Sequence, residues 1–347
     1  MLSTAADPMG TKISSSLVPL HGRRILVCLD RSTLSEVCVP HAISLAKTFG
    51  SAITLAHVVE PHHERSGPQA SDALGWEIAR QEAKGYLERF RKDVAQALGQ
   101  AVDVRLEQGR PAERIVDLAR EIAAEITVLG SRGAGGAPAS SLGSTAQRVL
   151  TLASNSVFIA HSSAVASSAV PPKRILIPLD GSVRTESVLP AALRMASAHG
   201  AELLLVHVVQ EPLPTALLPA PDDMALARTL TERLESGARR YLAQLQGQLA
   251  HERTSIRTLV VRHAKERQCL VEISQNEHTD LIVVSAHGSA CDSARSFGSV
   301  TTYLLTHSPV PVLVLQDLPG RESAPAHEVD GLHLTPPLRA SYAPEHV

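Results

Sequence analysis

The chain has 347 residues, enough for two domains of ordinary size. Its 33 Lys and Arg against 35 Asp and Glu leave a net charge of −2, and aromatic residues make up only 3%. That balance argues against a dedicated nucleic-acid binder, because it supplies neither a positive field for phosphate backbones nor rings on which bases stack.

Residues 1–21 lack the uninterrupted apolar core of a secretory signal and read as a disordered tail. The greasiest later run, 203–209, carries His207 and is too short to span a membrane, so a soluble cytoplasmic protein is expected. From residue 22, apolar β-branched runs alternate with helical patterns. Strands are expected at 24–30, 52–59, 102–108, 126–130 and 156–161. Helices are expected at 34–49, 72–98 and 112–124, with Pro111 at a first helical position.

After the fourth strand comes GSRGAGGAPASSLGST, residues 130–145, with glycines at Gly130, Gly133 and Gly143 followed by Ser144 and Thr145. Glycines let bare N–H groups approach phosphate oxygens, and the start of the next helix adds partial positive charge and two hydroxyls. Ser144 stands where a P-loop needs Lys, and a dinucleotide loop would follow the first strand rather than the fourth. Composition alone leaves a flexible Gly/Ser connection equally open.

An Ala/Ser/Pro stretch, 162–172, leads into a second copy at 173–317, with strands expected at 174–180, 202–209, 255–261, 281–285 and 310–316. RILVCLD ending at Asp30 recurs as RILIPLD ending at Asp180, and Ser32, Glu36, Pro40 and Gly50 recur at one offset as Ser182, Glu186, Pro190 and Gly200. The fold unit is duplicated. Strand–helix alternation with near-continuous apolar strands predicts parallel sheets covered on both faces, with ligands bound beyond the carboxyl ends of the strands. Residues 318–347, rich in Pro and polar residues, read as a second disordered tail.

Other side chains carry plainer readings. Cys28, Cys38, Cys269 and Cys291 lack metal-ligand spacing and a disulfide framework, so they read as buried groups in a reducing compartment, with Cys291 the better redox candidate. His57 and His207 occupy matching strand positions and read as satisfied, partly buried histidines, while His62 and His63 are adjacent in a loop. The charges of 77–92 and 228–240 read as solvated helix faces. Asp30 carries a plain alternative reading as a cap on the helix near Ser35. No catalytic constellation and no metal cluster stands out.

The opening strand with its aspartate, LAHVVE and LLVHVVQ, GRPAERIVDLAREIAAEITVLGSRG, and GSTAQRVLTLASNSVFIA together resemble the universal stress protein family, in its tandem two-domain form, over residues 22–316. The resemblance implies an α/β fold of two tandem doubly wound domains, each a five-stranded parallel sheet with helices on both faces, packed face to face. It implies an ATP site, with Mg²⁺, formed by Leu29, Asp30, Val58, Gly130, Arg132, Gly133, Gly143, Ser144 and Thr145. Asp30 would take a ribose hydroxyl or adenine amine, Val58 would offer backbone groups, and Ser144 and Thr145 would bond phosphate or Mg²⁺. ATP is then favoured over GTP. A second, weaker site would use Asp180, Val208, Gly288, Gly298 and Ser299. There Ser285 replaces the first glycine, where a positive φ would strain any other residue, His287 replaces Arg132, and Asp292 enters the loop beside Arg295, so weak binding or none is expected. The implied function is an ATP-binding stress-response or regulatory protein with an unknown protein partner and a possible homodimer. A slow ATPase and a nucleotide-free scaffold are the alternatives.

Overall fold

Each expected apolar run becomes a strand in the computed structural model, which describes residues 24–60, 73–133, 142–161, 170–211, 221–250, 254–289 and 296–316. The first copy runs β1 (Arg24–Cys28), α1 (Thr33–Glu36), α2 (Cys38–Phe49), β2 (Ala52–Val59), α3 (Ala73–Leu98), β3 (Asp103–Gln108), α4 (Pro111–Glu121), β4 (Ala124–Gly130), α5 (Ser144–Leu152) and β5 (Ser156–Ala160). The second runs β6 (Arg174–Pro178), α6 (Val183–Glu186), α7 (Leu189–His199), β7 (Glu202–Val209), α8 (Pro221–Gln248), β8 (Ile256–Arg262), α9 (Glu266–Asn276), β9 (Leu281–Ser285), α10 (Ser299–His307) and β10 (Val312–Leu315).

The differences from expectation have local causes. β1 ends at Cys28, its last pair with β2 being Cys28 opposite Ala56, so Leu29 and Asp30 lie beyond the strand. The first helix divides at Val37 into α1 and α2. α4 stops at Glu121 because Ala123 takes a φ of 49°, which turns the chain directly into β4. β10 starts at Val312, after Pro311, which has no N–H for a ladder.

The strand order is β3-β2-β1-β4-β5-β10-β9-β6-β7-β8 in one ten-stranded sheet. Pairing within each copy is parallel, as in Val27 opposite Val128 and Leu176 opposite Ile282. β5 and β10 pair antiparallel, with Phe158 opposite Leu313. The copies therefore meet edge to edge rather than face to face. Their strands run in opposite directions, and the carboxyl ends of the two halves lie on opposite rims of the sheet.

Alternating strand residues feed two cores, which supply the main hydrophobic stabilisation. Ile25, Val27 and Leu203 pack with α2, α3, α7 and α8 on one face. Leu26, Leu176 and Leu204 pack with α4, α5, α9 and α10 on the other. Both cores run through both copies, and the described residues form one compact unit. Polar contacts reinforce the join: His199 Nε2 lies 3.0 Å from Ser44 Oγ and 2.9 Å from Thr48 Oγ1, and Ser296 Oγ donates to the Thr151 carbonyl at 3.0 Å. No helix among the described residues is long and apolar enough to cross a membrane.

Candidate functional site

In the first copy the winding reverses between β1 and β4, and a crevice of about 760 Å³ opens beyond their carboxyl ends. All nine residues singled out in this copy border it. Leu29 and Asp30 form one wall where β1 stops. Asp30 Oδ1 accepts from the Ser32 N–H at 3.0 Å and from the Ser32 hydroxyl, while the Asp30 N–H donates to Ser35 Oγ at 3.1 Å. Ser32, not Asp30, is the N-cap of α1, accepting from the Ser35 N–H at 3.2 Å. The expected alternative of a helix-capping Asp30 is thereby corrected.

Gly130, Arg132 and Gly133 form the opposite wall. A β-carbon on Gly133 would lie 2.1 Å from Asp30 Oδ2, and one on Gly130 would lie 3.0 Å from the Arg132 carbonyl oxygen. None of Gly130, Gly133, Gly143, Gly288 and Gly298 has a left-handed φ. The motif glycines thus serve close approach rather than an unusual backbone, which corrects the expectation that Ser285 would be strained at a glycine position. Burial, and then the nearby Arg132 charge, push His161 behind the loop down to about 4.

The Gly143 N–H donates to the Ser131 carbonyl at 2.8 Å, closing the base of the loop. Gly143 is the N-cap of α5, with φ −63° and ψ 152°, and Ser144 and Thr145 begin the helix. Gln147 N–H is the first to bond back, to the Gly143 carbonyl at 2.9 Å. The N–H groups of Ser144, Thr145 and Ala146 precede that bond at the crevice, where a helix start attracts an anion.

Val58 stands on the third side. Ala56 accepts from the Leu29 N–H at 2.9 Å, and alternation along β2 turns the Val58 N–H and C=O to the same side, beyond the end of β1 and toward the crevice. His57 Nδ1 donates to the Leu29 carbonyl at 2.7 Å, so it is a satisfied histidine, as expected; burial holds it below its ordinary value despite that carbonyl. His207, at the matching position of the second copy, is likewise held below its ordinary value by burial, against the raising effect of the Leu179 carbonyl. It faces the Tyr241 ring at 6.2 Å.

The crevice also contains residues that were not expected there. Arg31 has a φ of 70° and pairs with Glu82 at 2.7 Å, while Gly181 takes the same conformation in the second copy, φ 84°. That glycine was the available sequence signal. Ser35, Ala79 and Pro111 line the cavity without any motif to mark them.

The second copy places Asp180, Val208, Gly288, Gly298 and Ser299 in the corresponding positions, at the ends of β6, β7 and β9 and the start of α10. Its chemistry differs. Asp180 Oδ1 accepts from the Ser182 N–H at 2.9 Å and Thr185 Oγ1 at 2.8 Å, and Oδ2 accepts from the Ser289 N–H at 2.7 Å. Burial would raise this carboxyl, but those bonds hold it well below the usual carboxylate range. Asp180 binds its own loop, although Ser182 is the helix cap. Ser285 Oγ donates to the His287 carbonyl at 2.6 Å. Glu266 starts α9 where Pro111 starts α4; burial raises its carboxyl, the Asp180 charge adds to the rise, and Gln210 donates to it at 3.1 Å. The Asp180 and Glu266 carboxylates are therefore close enough to repel each other.

Cys28, Cys38 and Cys269 are buried, as expected, and burial pushes each thiol up. Asp292, Arg295, Cys291, His62 and His63 lie outside the described residues, as do both expected tails and most of the 162–172 connection.

A model of the universal stress protein family matches residues 22–161 and 171–316. The chain is 28% identical over 301 residues to a universal stress protein of Mycolicibacterium smegmatis, covering 84% of this chain and 96% of that one. It is 25% identical over 303 residues to universal stress protein Rv2623 of Mycobacterium tuberculosis, with the same coverage of 84% and 96%. Among solved structures, a universal stress protein from Archaeoglobus fulgidus shares the fold at a TM-score of 0.59 and 19% identity, covering 84% of this chain and 98% of that one.

Proposed function

Since the chain belongs to the universal stress protein family, we propose that it is a cytoplasmic ATP-binding stress-response or regulatory protein, holding one nucleotide in the first copy and acting through nucleotide-dependent protein contacts. The observation that carries this reading is a convergence in one crevice: the first turn of α5, the Arg132 charge and the loop brought against Asp30 by Gly133. The helix start and Arg132 would take phosphate oxygens, and Ser144 and Thr145 would bond phosphate or an accompanying Mg²⁺. The Val58 backbone would read the adenine edge, and Asp30 would accept from a ribose hydroxyl. In the second copy Asp180 and Glu266 would repel a triphosphate, so binding there would be weak or absent.

Native mass spectrometry of freshly purified protein, followed by calorimetry with ATP and GTP in the presence of Mg²⁺, tests the reading. One adenine nucleotide per chain and tighter binding of ATP support it. Equal affinities, two equivalent sites or no binding overturn it. Sustained Mg²⁺-dependent turnover abolished by Asp30→Ala would replace it with an ATPase.

A further inference from the structure

Four of the seven large apolar side chains exposed among the described residues lie in the first half of α8: Met224, Leu226, Leu230 and Leu234. The three leucines are four residues apart and form one ridge along the helix. This ridge is not the face that packs on the sheet. Thr231, Ala238, Leu242 and Leu245 are the buried residues there, about a quarter turn away.

The ridge has a charged flank. Asp222 and Arg240 are separated by about five full helical turns and so point the same way, beside the leucines. Both are exposed, and neither has an ion-pair partner among the described residues. Ala227 and Gly237 border the ridge with small side chains, which permits close approach of a second helix.

We propose that the ridge is a homodimer contact, in which α8 of one copy packs antiparallel on α8 of a second copy about a two-fold axis at Leu230. Each Leu226 then meets the other copy's Leu234, and Leu230 meets itself, as an isologous interface requires. The midpoint between Asp222 and Arg240 falls at Arg233's near neighbour Thr231, about 1.5 Å along the helix from the axis. Each Asp222 therefore comes within about 3 Å, measured along the helix, of the level of the other copy's Arg240, giving two ion pairs. A parallel arrangement would put the two charged flanks on opposite sides of the seam and form neither pair, so charge selects the antiparallel order. α8 packs on β7 and β8, at the far end of the sheet from the crevice between β1 and β4, so the dimer leaves that crevice open.

Sedimentation equilibrium of the full chain, with and without nucleotide, tests the contact. A dimer is expected, weakened about a hundredfold or more by Leu230→Glu and about tenfold by Asp222→Arg, with the double exchange Asp222→Arg and Arg240→Asp restoring most of the loss. Leu230→Cys should cross-link to itself under mild oxidation beyond the level of the unsubstituted chain. Asp222→Cys should cross-link only when mixed with Arg240→Cys. A monomeric chain overturns the proposal, whether another segment of the same chain or a different protein covers the ridge. So does a dimer indifferent to Leu230→Glu, or one in which the charge exchange fails to rescue.

Discussion

Asp30 and Gly133 are in such close contact that a β-carbon on the glycine would stand 2.1 Å from Asp30 Oδ2. The other carboxylate oxygen is held by the Ser32 N–H at 3.0 Å, so Asp30 cannot swing aside without losing that bond. Gly133→Ala should push the loop away from β1 and weaken ATP binding about tenfold or more, with little change in the thermal midpoint. Calorimetry together with a melting curve checks this, and unchanged affinity would remove the contact from the site.

Gly143 presents the opposite case. Its φ is −63°, and an added β-carbon would meet nothing closer than 3.6 Å. Gly143→Leu should therefore fold normally while its side chain blocks the mouth of α5, and nucleotide binding should be lost. Exchanging Gly288 and Gly298 in the second copy should change total binding little. Retained binding by Gly143→Leu would show that phosphate does not occupy the helix start.

Arg31 holds a left-handed backbone that its counterpart Gly181 adopts without penalty. Arg31→Gly should relieve about 1 kcal/mol of strain, against about 0.5 kcal/mol lost with the exposed Arg31–Glu82 pair. Stability should hold or rise while ATP affinity falls about tenfold, because a cation leaves the crevice wall. Denaturant midpoints and calorimetry separate the two effects; lower stability with full affinity would contradict them.

Asp180 is held below its ordinary range by its loop bonds, so the unfolded chain binds its proton more readily. Its stabilisation is complete above the unfolded carboxyl value near 3.9 and is lost as pH falls from there toward the depressed folded value. Asp180→Asn should cost about 1–2 kcal/mol at neutral pH, a figure reduced for a half-exposed group, and the gap should narrow near pH 3. Urea unfolding at both pH values measures it, and a constant gap would contradict the ionic origin.

His41 lies against Phe158, ring centroids 5.2 Å apart, and burial lowers it to about 4. Here the unfolded state binds more protons once pH drops below about 6.5, so stability falls between about 6.5 and 4, by up to about 3 kcal/mol. His161, also lowered to about 4, adds to the slope. His41→Leu should flatten part of it in chemical denaturation at pH 7, 5.5 and 4.5; an unchanged slope would show that His41 titrates normally.

The repeat, the strand positions and the glycine spacing were legible because each is a local pattern of side chains. RILVCLD and RILIPLD carry their strand identity within seven residues. The β5–β10 junction was not legible as such: an apolar edge strand advertises that it pairs, but not with what or in which direction. Glu266 escaped notice because loops of different length separate the copies after the second strand, so its equivalence to Pro111 emerges only when α4 and α9 are seen in place. The conformation of the motif glycines was misread for a related reason. Composition reveals that a side chain is missing, and only the neighbouring Asp30 oxygen reveals why.

The antiparallel pairing of β5 with β10 joins two edges of a single chain, so dilution cannot separate the halves. Each half always has the same, non-identical companion. In a dimer of identical halves every substitution alters both sites at once, and no asymmetry can accumulate. Here Glu266 and the Asp180–Ser289 bond reshape one rim while Pro111 and Arg132 keep the other intact.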